Sequence, residues 1–177
     1  GGAGSGTGMY GIGGTVRILG GTVKAEGGKD TGAGIGGGDN GAVDSIQIGE
    51  KNGEAPEVEA SSWNVKYGAA IGSGRNAQSG LKLSCGTINI FSGNLKVKGN
   101  IGYGGIDKNE GNEQIGGSVD ISEQVKLKLT DGTIEPRGTT CTFGKKTFQM
   151  TVYDNQLSDG TYSVKIRFYQ EGDTARN

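Results

Sequence analysis

The sequence repeats one unit, a glycine-rich turn that contains an isoleucine and lies next to short runs of alternating apolar and polar residues. The clearest turns are 32–36 and 68–72, which read GAGIG and GAAIG, and weaker copies lie at 10–14 and 114–117. A unit that recurs every few tens of residues predicts a stacked, solenoid-like structure, because the strands of one unit cannot bury their apolar faces alone.

The runs between the turns alternate strictly. In 14–18, Val16 and Ile18 face one side while Thr15 and Arg17 face the other. The same alternation recurs at Val23/Ala25, Ile46/Ile48, Val58/Ala60, Leu81/Leu83, Ile88/Ile90, Leu95/Val97, Val119/Ile121 and Val125/Leu127/Leu129. This period of two predicts strands with one buried face, and glycine interrupts nearly every run that would suit a helix.

The spacing of the turns predicts the length of one coil. Ile35 and Ile71 are 36 positions apart, and Ile71 and Ile106 are 35 apart, which suits three short strands joined by corners. The Asn-Gly and Asp-Gly pairs are typical of hairpin turns, so a β-sandwich built from hairpins is the alternative. The recurrence of turn and strand together as one unit favours the solenoid. We therefore predict a short right-handed parallel β-helix of about four coils, with an insertion at 107–113 that projects from the stack.

The composition changes after Pro136, where glycine becomes rarer and aromatic residues gather. Two longer alternating runs, 147–153 and 162–169, predict an antiparallel hairpin. We expect residues 1–136 to form the β-helix and residues 137–177 to form a C-terminal β-hairpin cap over its last coil. The alternative is that this segment begins a separate β domain.

Charge and hydropathy exclude several classes of partner. The 18 basic and 19 acidic residues nearly cancel, and the Lys-x-Lys runs at 96–98 and 126–128 have the pattern of solvated strand faces, so no nucleic-acid partner is expected. No run is apolar enough to insert into a membrane, and no signal peptide is visible. The chain opens in the middle of a repeat, so we expect a piece of a longer precursor. Cys85 and Cys141 could form a disulfide or remain two buried thiols.

The residue types present argue against an enzyme. The chain has no histidine, which excludes Ser-His-Asp and Cys-His sites and histidine zinc sites. Asp39, Asp44, Asp107 and Asp120 lie nearest the glycine turns, but none repeats in register with another acid, so a glycosidase pair is not indicated. We expect solvated surface carboxylates and no catalytic residues.

A calcium ion is the one cofactor that the sequence suggests. Asp39, Asn40 and Asp44 offer carboxylate and amide oxygens within one loop, and these are ligands that calcium prefers. The regular aspartate spacing of calcium-binding β-rolls is missing. The three residues are therefore a candidate site with an incomplete ligand set.

Three aromatic residues are candidates for carbohydrate binding. Trp63 and Tyr67 lie in a corner that lacks the expected glycines, and Tyr103 lies in what the spacing predicts to be the equivalent corner one coil later. A pyranose stacks its C–H face on such rings. The alternative is that these rings are buried inside the solenoid.

Residues 14–25 and 32–38, which read GTVRILGGTVKA and GAGIGGG, resemble the glycine-rich repeats of bacterial cell-surface proteins. Those repeats run GAGIGGG followed by GGTVTISGGTVTA-type segments, and they are described as right-handed parallel β-helix or carbohydrate-binding regions. The resemblance covers residues 1 to 135. It implies an extracellular or cell-surface protein that binds polysaccharide or host glycans.

The function predicted from the sequence is a non-catalytic binding or adhesion module for polysaccharide, on a solvent-facing surface of the β-helix. One alternative is a structural stalk or spacer segment of a larger surface protein. A second is a polysaccharide lyase or glycoside hydrolase, since the chain also distantly resembles calcium-dependent lyase helices. The acidic cluster of those enzymes has no clear match here.

Overall fold

The computed structural model describes residues 4–29, 31–107, 111–122 and 124–135, and the backbone of three further strands between 140 and 170. The strands are β1 (Ser5–Gly6), β2 (Thr15–Ile18), β3 (Thr22–Glu26), β4 (Ile35–Gly36), β5 (Ser45–Ile48), β6 (Glu57–Ser61), β7 (Ile71–Gly72), β8 (Lys82–Leu83), β9 (Thr87–Ile90), β10 (Gly93–Lys98), β11 (Ile101–Gly102), β12 (Glu113–Gln114), β13 (Ser118–Ile121), β14 (Val125–Thr130), β15 (Ile134–Glu135), β16 (Thr140–Phe143), β17 (Lys146–Gln156) and β18 (Tyr162–Gln170). The described residues contain no helix, and hence none that could cross a membrane.

Each coil of the chain adds one strand to each of three parallel sheets. Sheet A has the order β1-β4-β7-β11-β15, sheet B β2-β5-β9-β13 and sheet C β3-β6-β10-β14. A fourth, two-stranded sheet pairs β8 with β12. All of these pairings are parallel, so the predicted parallel β-helix of about four coils is confirmed.

Side chains from equivalent positions stack into apolar columns inside the solenoid. One column of sheet A contains Ile35, Ile71, Ile101 and Ile134, which are at most 5% exposed. Sheet B contributes Ile18, Ile48, Ile90 and Ile121, and sheet C contributes Val58, Leu95 and their neighbours. The period of two in the sequence is therefore the in-and-out alternation of strands around one shared core.

Glycine is required where sheet A turns a corner. Gly36 and Gly72 occupy the same position in successive coils and have φ of 136° and 138°. A Cβ atom on Gly36 would overlap the carbonyl oxygen of Gly72 in the next coil. Both the positive φ and the close approach of neighbouring backbones favour glycine here.

The coils differ in length more than the sequence spacing predicts. Ile71 pairs with Ile101, and Ile106 instead forms a bridge with Asn76, so the predicted anchor Ile106 is wrong. The first anchor is Ser5, which pairs with Ile35, and Ile12 forms a bridge with Ala42. The reason is that residues added or removed in the loops leave the paired strands in place.

The segment before β12 and the loop before β6 depart from the regular repeat in different ways. Glu113 pairs with Lys82, so the segment between the Ile106 bridge and β12 has one residue more than its counterpart in the previous coil. The predicted projecting insertion at 107–113 lies partly outside the described residues. The longer loop is 49–56, which joins β5 to β6 and is exposed from Glu50 to Ala55. Strand β6 follows it in full register with β3.

The C-terminal segment forms a separate three-stranded antiparallel sheet, β16-β17-β18. The predicted hairpin of 147–153 and 162–169 corresponds to β17 and β18, and β16 adds a third strand. Cα atoms of β16 come close to β13, and those of β18 come close to β14, in the last coil. A capping role, and the division at residue 136, stay predictions.

Candidate functional site

The outer face of sheet C presents two parallel rows of polar side chains. The strands pair in exact register, so equivalent residues lie side by side across four coils. The first row is Thr22, Glu57, Asn94 and Lys126, and the second row is Lys24, Glu59, Lys96 and Lys128. Neighbouring parallel strands are about 4.8 Å apart, so each row repeats at that interval along the solenoid axis.

A shallow open groove of about 730 Å³ runs between the two rows and crosses all four strands. Val58 and Leu95, which lie between the rows, turn their side chains into the core and are 2% exposed, and Val23 and Leu127 are partly buried against the same core. Their backbone therefore forms the floor, and the polar side chains form the walls. The walls lie about 6.6 Å apart, the distance between residues i and i+2 of a strand.

The charges of the groove differ between its two ends. At the β3–β6 end the Lys24 ammonium lies 3.1 Å from a Glu59 carboxylate oxygen, and Asn94 donates a hydrogen bond to Glu57. At the β10–β14 end, Lys96, Lys126 and Lys128 have no carboxylate within 4 Å among the described residues. The β3–β6 end thus holds one ion pair and one further carboxylate, Glu57, that accepts from a neutral amide, and the β10–β14 end is basic.

The predicted aromatic residues do not share one surface. Trp63 is 57% exposed, whereas Tyr103 is 8% exposed and donates its hydroxyl hydrogen to the Gly116 carbonyl oxygen. Burial raises the pKa of the Tyr103 phenol. Tyr103 follows β11, while Trp63 and Tyr67 precede β7, so the predicted equivalence is wrong. The equivalent corner in the next coil is shortened to 99–100.

Tyr67, in the loop before β7, contacts Arg75, which follows β7 and pairs with Asp107 of the next coil. The Arg75 guanidinium lies 4.8 Å from the Tyr67 ring centroid, and its Nε donates to Asp107 Oδ1 at 3.2 Å. The hydrogen bonds to Asp107 raise the pKa of Arg75. This arrangement fastens one coil to the next and leaves Trp63 as the exposed aromatic residue of the loop.

Two of the three predicted calcium ligands accept hydrogen bonds within the fold. Asn40 is 4% exposed, and its Oδ1 accepts hydrogen bonds from the backbone N–H groups of Ala77 and Gln78 at 2.7 and 2.8 Å. Asp44 accepts from the Gly14 N–H at 3.0 Å. Oδ1 of Asp39 is buried without a hydrogen-bond partner, and the Asn40 oxygen is turned to the next coil. Calcium binding by these three residues stays a prediction.

The described acidic residues do not gather into a metal-binding cluster. Within the described ranges, no group of three histidine, cysteine, aspartate or glutamate side chains could hold a metal ion. The Asp107 carboxylate pairs with Arg75, and Asp120 lies half-buried on β13. Glu57 and Glu59 are the two carboxylates among the groove residues, and they were not singled out from the sequence.

Cys85 is a buried free thiol, and the Cys141 side chain lies outside the described residues. Burial raises the pKa of Cys85 to about 11. The thiol donates to the Gly86 carbonyl oxygen at 3.5 Å.

Sequence reasoning missed the groove because it depends on the register between coils. The Lys-x-Lys runs were interpreted as separate solvated faces, but the structure places Lys96 beside Lys128. The available signal was the match of Leu95 and Val97 with Leu127 and Leu129, which aligns the two runs. Comparison of the chain with protein-family models, with curated proteins and with solved structures finds no match.

Proposed function

We propose that the chain is a non-catalytic, extracellular or cell-surface binding module that holds an extended polysaccharide in the groove of sheet C. The observation that supports this is an open groove that crosses four strands in register, with polar side chains along both walls. The resemblance of the repeats to bacterial surface proteins supports the location.

The dimensions of the groove suit a single glycan chain that lies along the solenoid axis. The interval of about 4.8 Å between strands is close to the length of one sugar ring in an extended chain, so each strand would face one sugar. Side chains such as Thr22 and Asn94 can exchange hydrogen bonds with hydroxyl groups. The methylene stems of the lysines offer apolar contact to C–H faces.

The test is a glycan array followed by calorimetric titration with oligosaccharides of increasing length. We expect affinity to rise up to a tetrasaccharide, one sugar for each strand, and then to level off. The groove variants Glu57→Ala and Asn94→Ala should weaken binding, and Trp63→Ala is the control outside the groove.

Two results would contradict the proposal. If no glycan binds, the proposed polysaccharide-binding function is contradicted. Loss of binding in Trp63→Ala, with both groove variants unaffected, would move the site to the 62–68 loop and remove the groove from it.

The second candidate function is a structural stalk, and the first coil favours it. Strands β1, β2 and β3 are edge strands of their sheets, and Met9, Tyr10 and Ile12 are 54 to 69% exposed. A further parallel coil would pair with these edges and cover these side chains. If this is the function, the chain should associate end to end in sedimentation experiments, and Ile12→Asp should abolish the association. If the chain is monomeric at every concentration and also binds glycan, the stalk function is contradicted and the binding function remains.

A further inference from the structure

We infer that the ligand of the groove is an acidic polysaccharide, whose carboxylates bind Lys96, Lys126 and Lys128 at the β10–β14 end. This inference rests on the proposed function and names the ligand class of the same site. It follows from the distribution of charge along the groove and from the spacing of the strands.

The unpaired cations are confined to one end of the groove. Glu59 is paired with Lys24, and Glu57 accepts from Asn94, so the acids of the groove are engaged on the β3–β6 side. The three lysines of β10 and β14 are exposed, and Lys98 extends the basic area along β10. No described carboxylate lies within 4 Å of any of the four. A ligand that enters this end therefore meets positive charge with no ion-pair partner among the side chains that the structure describes.

The register makes this arrangement costly in the absence of an anion. Lys96 lies opposite Glu59 on one neighbouring strand and opposite Lys128 on the other, and like charges in the second relationship destabilise a sheet. Lys126 stands two residues before Lys128 on the opposite wall of the groove. An anion placed between the walls can contact lysines from both rows, and it relieves their mutual repulsion.

A polyuronate matches this pattern because it has one carboxylate on each sugar. Lys96 and Lys128 belong to one row on successive strands, about 4.8 Å apart, so carboxylates of neighbouring sugars can reach them in turn. Sugars further along the groove meet the paired residues of β3 and β6 and exchange hydrogen bonds through their hydroxyl groups.

A nucleic acid fits the same residues less well. Single-stranded nucleic acids are bound by stacking their bases on aromatic side chains. None of the residues that line the groove is aromatic. Walls about 6.6 Å apart also leave room for one sugar chain but not for a duplex.

The experiment compares oligogalacturonate with its carboxyl-reduced neutral counterpart of the same length. Binding of each is measured by calorimetry at low and high salt, to the wild-type chain and to the Lys96→Gln/Lys128→Gln variant. The matched control is Lys82→Gln, an exposed lysine outside the groove that pairs with Glu113 at 3.2 Å. Circular dichroism verifies that each variant is folded.

We expect the acidic oligosaccharide to bind about tenfold more tightly than the neutral one, since each exposed ion pair contributes a small factor. The double variant should lose that preference and bind the neutral oligosaccharide as before, and salt should weaken only the acidic ligand. Lys82→Gln should bind both ligands as the wild-type chain does.

Several results would overturn the inference. Equal binding of acidic and neutral oligosaccharides would contradict the inferred acidic ligand and leave the proposed function intact. If neither oligosaccharide binds, both the inference and the proposed function are contradicted. An equal effect of Lys82→Gln would indicate general charge attraction in place of a site. Tighter binding of a single-stranded oligonucleotide would indicate a nucleic-acid ligand.

Discussion

Lys96 on β10 and Lys128 on β14 occupy directly opposed positions of sheet C, and neither has a carboxylate partner within 4 Å among the described residues. In the same sheet, the opposed pair Lys24 and Glu59 forms a salt bridge. The basic end of the groove is therefore an electrostatic cost of folding that binding an anion would offset.

Reversing one of these charges should stabilise the chain. Lys128→Glu places a carboxylate opposite Lys96, and we expect the free energy of unfolding to rise by about 0.2 to 1 kcal/mol at low ionic strength. Lys82→Glu is the opposite case, because it sets a carboxylate beside Glu113 and should lower the free energy of unfolding. Denaturant titrations at low and high salt measure both, and a change of the same sign in the two variants would contradict the charge argument.

The glycine corner of sheet A should not tolerate a side chain. Gly36→Ala combines a φ of 136° with overlap on the Gly72 carbonyl oxygen, so we expect a loss of about 3 kcal/mol or more, or an insoluble chain. Gly8→Ala is the control, because a Cβ there meets nothing within 4 Å. Thermal unfolding compares the two variants. If Gly36→Ala unfolds as Gly8→Ala does, the corner does not require glycine.

The apolar columns should carry most of the stability. Ile71 is completely buried, and we expect Ile71→Ala to lower the free energy of unfolding by about 2 to 5 kcal/mol. Ile106 is 39% exposed and joins the stack through a single bridge, so Ile106→Ala should cost less than about 1 kcal/mol. Denaturant unfolding measures both, and equal costs would show that Ile106 is as much a core residue as the spacing first predicted.

The buried thiol of Cys85 should make stability depend on alkaline pH. Its pKa is about 11 in the folded chain, and an unfolded cysteine titrates near about 8.5 to 9. Above the lower value the unfolded state loses a proton that the folded state retains. The free energy of unfolding should therefore fall between about pH 9 and pH 11, by roughly 2 to 3 kcal/mol.

The Cys85→Ala variant isolates this contribution. Burial raises the pKa of Tyr103 in both proteins and lowers stability in the same direction at high pH, whereas the further increase caused by the Cys85 thiolate is lost together with the thiol. The difference between the two proteins in how the free energy of unfolding changes with pH is then due to the thiol. Identical pH dependence in the two proteins would show that Cys85 is not buried as described.

Polysaccharides that bind the groove should be released intact. Glu57 and Glu59 face the groove two positions apart on β6, but each is engaged, by Asn94 and by Lys24 respectively. A glycosidase needs one carboxyl group that donates a proton and one that stays ionised. We expect no new reducing ends and no unsaturated products on long incubation with acidic polymers, with or without calcium. Products that Glu57→Gln or Glu59→Gln abolishes would establish an enzyme.

Most of the fold follows from local patterns in the sequence. Alternation at pairs such as Ile46 and Ile48 predicts a buried strand face, and recurrence of the turn predicts that such faces stack. The coil boundaries could not be predicted as well. Ser5 replaces isoleucine at the first anchor, and loops of unequal length separate Ile71 from its true partner Ile101.

The site was harder to predict because it is made by neighbouring coils together. The sequence left burial open for Trp63 and Tyr103 alike, and it could not show that Trp63 is exposed and Tyr103 buried without knowing which corner is shortened. The lysines of β10 and β14 are distant in sequence and become neighbours only through the register of sheet C. Features confined to one strand could therefore be predicted from the sequence, and features shared between strands could not.

The long loop 49–56 leaves the stack after β5, and β6 resumes the ladder in register with β3 and β10. The two neighbouring coils make the same turn with far fewer residues. Extra length at this point is therefore accommodated outside the repeating architecture. The stretch from Glu50 to Ala55 is a natural position for grafting a foreign peptide, which the solenoid would display on its flank while its own layers stay undisturbed.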